Sequence, residues 1–247
     1  QRQMCIRDRY GVDINLADDF SEPVLLEVYN VVQDQDMLFV SDSSFLLAQV
    51  DQLNRGLWGL EIVKLQNRGN ATYAPGSDPM SLIRFGLPTG STKLQVDTSL
   101  YGSEVIQVDR GFALDASVPP GNHDVMYSYH FSYRENKVEI EKLFPYGAES
   151  VRVLVPYGIA QIQSLELDGP RIIDVGGKPY LLMEGHNIGR GERVSIVFLD
   201  LPEPSTGQLI QLRLSGIRFE YVALACLVIL MGTIVTFALL RREKLKN

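Results

Sequence analysis

Tyr221 to Leu240, YVALACLVILMGTIVTFALL, is a run of twenty residues without a charge. An α-helix of that length rises about 30 Å, the thickness of a bilayer's hydrocarbon core. Eleven of the twenty are Leu, Ile, Val or Phe. At about −0.3 to −0.6 kcal/mol each, they contribute roughly −3 to −7 kcal/mol toward insertion, and no charge opposes them. Core helices of water-soluble proteins rarely run this far without a polar face. Arg241, Arg242, Lys244 and Lys246 follow at once. The run is therefore read as a single transmembrane helix over 221–240 with a basic tail over 241–247, and the lipid bilayer as its first partner.

Basic residues set orientation. Four follow the apolar run closely, whereas Arg213 and Arg218 alone precede it closely. The excess of Lys and Arg belongs on the cytosolic side. The expectation is a cytosolic C-terminus with the bulk of the chain outside the cytosol, given an export signal upstream of residue 1.

The formal charge is −7. The tail from Arg241 sets four basic residues against Glu243, so the remainder carries about −10. An acidic body argues against a nucleic-acid partner, which requires clustered Lys and Arg to neutralise phosphates. There are two cysteines, Cys226 inside the apolar run and Cys5 in the polar opening QRQMCIRDRY. No disulfide between them is expected, so the fold must stand on its hydrophobic core. The string Met4 to Arg9 resembles a translated sequencing-adapter remnant, and residues 1–9 are set aside as non-native.

Strand signals fill the middle of the chain. His123 to Tyr133 (HDVMYSYHFSY) puts Val125, Tyr127, Tyr129, Phe131 and Tyr133 on one face and Met126, Ser128, His130 and Ser132 on the other. Arg134-Glu135-Asn136 then turns into KVEIEKLF, where Val138 and Ile140 alternate with Glu139 and Glu141. These two runs are expected to pair as an antiparallel hairpin. Ser150 to Val155 places Val151, Val153 and Val155 on one face, and Glu192 to Leu199 does the same for Val194, Ile196 and Phe198. Gly176-Gly177 reads as the two-residue loop of a hairpin joining Arg171–Val175 to Lys178–Glu184. Pro179 suggests an edge position there. Ser43 to Leu53 fits a helix or a strand equally well.

Pro/Gly turns recur at Leu87–Gly90, Pro119–Gly121, Pro145–Gly147 and Pro156–Gly158. Short strands with such punctuation indicate sandwiches rather than α/β units. The fold expected is all-β: one or two antiparallel β-sandwiches followed by a single C-terminal transmembrane helix. Asp34 to Ser44 reads as a join. Residues 10–35 are taken as the remnant of an upstream β domain or a linker, 36–201 as the sandwich region, in one lobe or in two divided near 156–160, and 202–220 as a juxtamembrane linker.

Two stretches carry a family resemblance. LEIVKLQNRGNATYAPGSDPMSLIRFGLP, from Leu60 to Pro88, is one. The other runs from Pro119-Pro120-Gly121 through YSYHFSY and LFPYGAESVRVLVP. Together they resemble membrane-anchored, exported β-sandwich proteins of bacteria and archaea associated with transthyretin-like, carboxypeptidase-regulatory-like domains. Some of these are encoded near cytochrome c maturation genes or other envelope genes. The resemblance implies a role in the cell envelope and supplies no reaction and no catalytic residue.

Chemistry-bearing residues are sparse. His123, His130 and His186 form no HxxxH or HExxH pattern. No nucleophile motif, phosphate loop or dinucleotide fingerprint appears. No catalytic residue, metal ligand or cofactor site is assigned, and the chain is not read as an enzyme. Ligand-binding candidates are Tyr127 and Tyr129, if their stripe is a sugar-stacking platform rather than core, and His186 and Arg190 in the turn region GHNIGRG. The anchor candidates are Tyr221, Leu240, Arg241 and Arg242. The expected role is binding or scaffolding at a membrane surface, with an envelope protein or a glycan as partner. The rivals are a carbohydrate- or peptide-binding module and an accessory subunit of a membrane enzyme or cofactor-assembly system.

Overall fold

The computed structural model describes residues 28–108 and 110–205. Tyr221, Leu240, Arg241, Arg242 and the readings of residues 1–27 lie outside the described residues. Among the described residues, no helix is long and apolar enough to cross a membrane. The chain divides into two units, Gln1–Glu203 and Pro204–Asn247, and every strand given below belongs to the first.

In chain order the strands are β1 (Val31–Val32), β2 (Leu38–Asp51), β3 (Gly56–Asn67), β4 (Thr72–Tyr73), β5 (Ile83–Gly86), β6 (Thr92–Thr98), β7 (Glu104–Val108), β8 (Gly111–Asp115), β9 (Gly121–Ser132), β10 (Val138–Phe144), β11 (Ala148–Pro156), β12 (Gln161–Gln163), β13 (Asp168–Val175), β14 (Lys178–Ile188) and β15 (Glu192–Leu199). Seven of them make one large sheet in the order β13-β14-β11-β2-β3-β9-β6. Two three-stranded sheets, β10-β15-β12 and β5-β8-β7, supply the opposing layer. Phe45 of β2 meets Phe198 of β15 at 5.8 Å, and Phe85 of β5 meets Tyr127 of β9 at 5.7 Å. The fold is thus an all-β sandwich.

Alternation builds the core. Val125, Tyr127, Tyr129, Phe131 and Tyr133 are all buried, as are Val151, Val153 and Val155, and Val194, Ile196 and Phe198. His130 lies on the opposite face of β9, with its ring 5.4 Å from that of Trp58. A one-residue slip would turn each of these sets to solvent, so the burial of one face fixes the register. Ser43 to Leu53, ambiguous as sequence, falls largely in β2, which lies between β3 and β11 in the large sheet.

Three local expectations are corrected. The runs at His123–Tyr133 and Lys137–Phe144 do not pair as a hairpin. Both sides of β9 are occupied, by β3 and β6, and β10 pairs with β15 from Val138↔Phe198 to Phe144↔Glu192. The turn at Arg134–Lys137, with Glu135 at φ 55, carries the chain from one layer to the other. The apolar stripes of β9 and β10 then face each other across the core instead of lying side by side. The sheets are also not purely antiparallel, because β11 runs parallel to β2 and β1 parallel to β4.

Pro179 is not on an edge strand, since β14 is flanked by β13 and β11. It lies one residue beyond the last β11 partner, Pro156↔Tyr180, where no ladder bond from its nitrogen is required.

The Gly176-Gly177 loop closes the β13–β14 hairpin as expected, with φ of 62° and 80°. Strands on both sides of Pro156–Ala160 share the large sheet, β11 before and β14 after. Asp34 to Ser44 is continuous with the body: Asp34 caps a 3-10 turn at Gln35–Met37, which leads straight into β2.

Gly111 of β8 lies tight against the backbone of β5. Its φ is 155°, and a Cβ there would lie 2.0 Å from the Phe85 carbonyl oxygen. Backbone cannot yield as a flexible side chain can. Gly111→Ala should therefore lower stability by about 2–3 kcal/mol, read as a lower urea midpoint. An unchanged midpoint would mean that the β5–β8 ladder tolerates being pushed apart.

Candidate functional site

The apolar face of β3 reads Leu57, Gly59, Glu61, Val63 and Leu65. Glu61 interrupts it in the centre of the sandwich and is only 2% exposed. A lone carboxylate there would cost several kcal/mol. It is not alone. Tyr127 stands directly opposite it on β9 and donates its hydroxyl to Oε2 at 2.6 Å. Tyr129, opposite Gly59, donates to Oε1 at 2.7 Å. From the other layer Lys142 of β10 reaches across, and its Nζ forms an ion pair with Oε2. Nζ also lies 3.4 Å from the Tyr127 hydroxyl oxygen.

Gly59 makes the arrangement sterically possible. A Cβ at that position would sit 2.8 Å from the Phe45 ring and 3.2 Å from Tyr129 Cζ. Aromatic rings wall off the rest. Phe112 meets Tyr127 edge-on at 4.9 Å, Tyr127 and Tyr129 stack at 6.2 Å, and Phe131 follows at 5.7 Å. Nζ of Lys142 lies 5.8 Å from the centre of the Tyr127 ring and 5.7 Å from that of Phe144. Both faces can stabilise a cation.

Burial dominates the electrostatics. It lowers the Lys142 amino group to about 7. It raises the Tyr127 and Tyr129 hydroxyls well above their ordinary value, so both remain donors throughout the physiological range. Beside Lys142 and Tyr127 is a cavity of about 20 Å³, also bounded by Val40, Ser43, Phe144 and Tyr146. That is room for about one water molecule. The cluster can hold and move protons among its own groups, but the space admits no sugar or peptide.

The expected site residues fall apart in space. Tyr127 and Tyr129 are 1% and 0% exposed, so neither ring is available for a sugar to stack on. That platform is corrected to core, because both rings complete the sandwich and both hydroxyls serve Glu61. His186 is exposed on β14 opposite Ser150. Arg190 is engaged elsewhere: its guanidinium donates to the carbonyls of Asp36 at 2.7 Å, Gln35 at 3.3 Å and Leu38, and pairs with Asp36 at 3.6 Å. It fastens the 3-10 turn to the β14–β15 connection, and this accounts for it without a ligand. His123 bonds the Pro119 carbonyl at 2.8 Å. Among the described residues, no group of three or more His, Cys, Asp or Glu could hold a metal ion.

Glu61 and Lys142 carried a signal in the sequence. Val138, Ile140, Lys142 and Phe144 continue one alternating stripe, and Glu61 sits likewise between Leu57 and Val63–Leu65. A charged residue at a core position of each of two strands suggests that the charges meet.

No protein-family model matches the chain, and no curated protein matches it. Among solved structures, it is similar to the M1 zinc metallopeptidase from Deinococcus radiodurans, at 14% identity and a TM-score of 0.37. A mutant of that enzyme bound to a Tyr-Ser-Ala substrate gives 15% and 0.39. Each alignment covers 65% of this chain and 42% of the other, so this chain spans less than half the length of those structures. Overlap at that level assigns neither a family nor an activity.

Lys142→Met should cost about 3–5 kcal/mol in denaturant unfolding, because it strands a buried carboxylate. Tyr129→Phe should cost less, about 1.5–3 kcal/mol, as one hydrogen bond to a charged group is lost. Equal, sub-kcal/mol losses in both would show that water reaches Glu61.

Proposed function

We propose that this chain is a membrane-anchored envelope protein whose β-sandwich binds or scaffolds a protein partner through the open edge at β7. The uncharged run Tyr221–Leu240 and the basic residues after it support the anchor and an extracytoplasmic body. The resemblance of Leu60–Pro88 and Pro119–Pro156 to exported, anchored β-sandwich proteins points the same way.

The observation that carries the binding role is β7 itself. It ends its sheet, and all five of its residues are exposed, with Val105, Ile106 and Val108 at 43%, 38% and 54%. The two-residue connection after Val108 closes on the Val108↔Gly111 pair, so Glu104, Ile106 and Val108 direct their backbone groups to β8. Val105 and Gln107 direct theirs outward. The other edges of the described sheets are protected by charge, brevity or an engaged backbone. β6 carries Lys93 and Asp97, β10 carries Glu139 and Glu141, and β13 carries Asp168, Pro170, Arg171 and Asp174. β12 is three residues long, and the outward amide of Arg84 on β5 is bonded to the Tyr146 hydroxyl. β7 has Glu104 as its one charge. An extended segment with alternating apolar residues, and a basic residue opposite Glu104, would add to this edge as a further strand.

The test uses the full chain in its host envelope, with a photo-crosslinking residue at Gln107 and a control at Lys178. A discrete protein adduct at position 107, lost when Ile106→Lys and Val108→Lys are added, is the expected result. No adduct, or equal adducts at both positions, would remove the β7 reading. The full chain should also stay with membranes through an alkaline wash, while a chain ending at Glu203 should be released. Release of both would end the anchor reading.

A further inference from the structure

The structure assigns a covalent modification to the buried cluster: we infer that Lys142 and Glu61 condense to an amide that ties β10 to β3 across the sandwich. The geometry brings the two reacting groups together. The two side chains come from opposite layers, are shielded from water, and meet at Nζ and Oε2. Holding the reactants at contact makes a bimolecular step effectively unimolecular.

In an apolar interior the charged pair is equivalent, by transfer of one proton, to a neutral amine beside a neutral acid. Burial favours the neutral form, and the lowered basicity of Lys142 agrees with it. A neutral amine is a nucleophile and a neutral acid an acceptor, whereas the ion pair is neither.

The step balances without a co-reactant. The Nζ lone pair attacks Glu61 Cδ, and charge develops on Oε1. The Tyr129 hydroxyl, 2.7 Å from Oε1, is already aimed at that atom. The Cδ–Oε2 bond then breaks. Oε2 leaves as water, carrying the acid proton and one proton from Nζ. The Tyr127 hydroxyl flanks the pair and reaches both atoms, 2.6 Å from Oε2 and 3.4 Å from Nζ. It gives its proton to the departing oxygen, receives one from nitrogen, and ends as it began. The cavity beside Lys142 and Tyr127 has room for the water released. One C–N bond forms, one C–O bond breaks, and nothing is oxidised or reduced.

The experiment is intact-mass spectrometry of the purified, denatured full chain, followed by peptide mapping. The wild type should be lighter than its sequence by one water, and digestion should yield a branched peptide joining the segment around Glu61 to that around Lys142. Lys142→Met and Glu61→Leu should each restore the sequence mass. Tyr127→Phe should leave a fraction of the chain unlinked, with a slower approach to the linked mass after synthesis. A wild-type mass equal to the sequence overturns the proposal. So does a missing water that maps elsewhere, as at Asp168-Gly169, where a succinimide would give the same deficit. The wild-type measurement requires no variant to fold.

Discussion

A carboxylate in the middle of an apolar sandwich is the constraint on which the rest of this structure depends. Taking Glu61 out of water costs several kcal/mol unless its lone pairs and charge are met. Three groups from two strands meet them: Tyr127 and Tyr129 on β9, and Lys142 on β10. This fixes registers that hydrophobic patterning leaves open. Sliding β9 by one residue would turn its stripe to solvent, which apolar burial already forbids. Sliding it by two keeps an apolar face inward, so alternation alone does not exclude it. In one direction Phe131 would replace Tyr129 beside Glu61; in the other, Val125 would replace Tyr127. Either slip removes one of the two hydroxyls, and the cost falls on a buried charge.

The same logic separates what was legible in the sequence from what was not. The inward faces of β9, β11 and β15 could be read because each is a run of alternating residues whose burial needs no knowledge of the partner. The β13–β14 hairpin could be read because two consecutive glycines demand a tight turn and little else. The β9–β10 hairpin failed for a different reason. Arg134–Lys137 does reverse the chain, but a reversal does not specify whether the next strand lies beside its predecessor or across from it. Residues far along the chain decide that: β6 occupies the free side of β9, and β15 offers β10 a partner seven residues long. The parallel pairing of β11 with β2 is equally non-local.

The site was partly visible. Tyr127 and Tyr129 stood out as an aromatic pair, but two roles were open to them, core or platform. The deciding residue was Glu61, the one polar interruption of the inward face from Leu57 to Leu65, in a strand whose outer face also carries apolar side chains. Lys142 was easier in principle, since Ile140 and Phe144 flank it at core spacing. Arg190 illustrates the opposite case. A glycine-flanked arginine in a turn suggests a ligand, yet backbone carbonyls 2.7 and 3.3 Å away account for its guanidinium. A sequence places the donor; it does not show the distant carbonyls that occupy it.

The position of the cluster also bears on how force would enter the domain. β15 leads through Leu201 and Pro202 toward the C-terminal segment, and the exit is fastened by Leu201 N–H to the Asn136 carbonyl at 2.9 Å and by the Tyr133 hydroxyl to the Pro202 carbonyl. On the proposed reading, in which Tyr221–Leu240 is held in a membrane, tension would reach β15 first and its neighbours β10 and β12 next. Backbone ladders loaded from one end open one bond at a time, so β10 would follow β15 unless something beyond the ladder retained it. The core packing of Ile140 and Phe144 is one such element, and Lys142 is the polar one. It joins β10 to Glu61 on β3, which is interior to the large sheet, between β2 and β9. As an ion pair the link resists by electrostatics in a dry interior. As an amide it would carry load until a covalent bond broke, and the seven-stranded sheet, not the small one, would then set the mechanical limit of the domain.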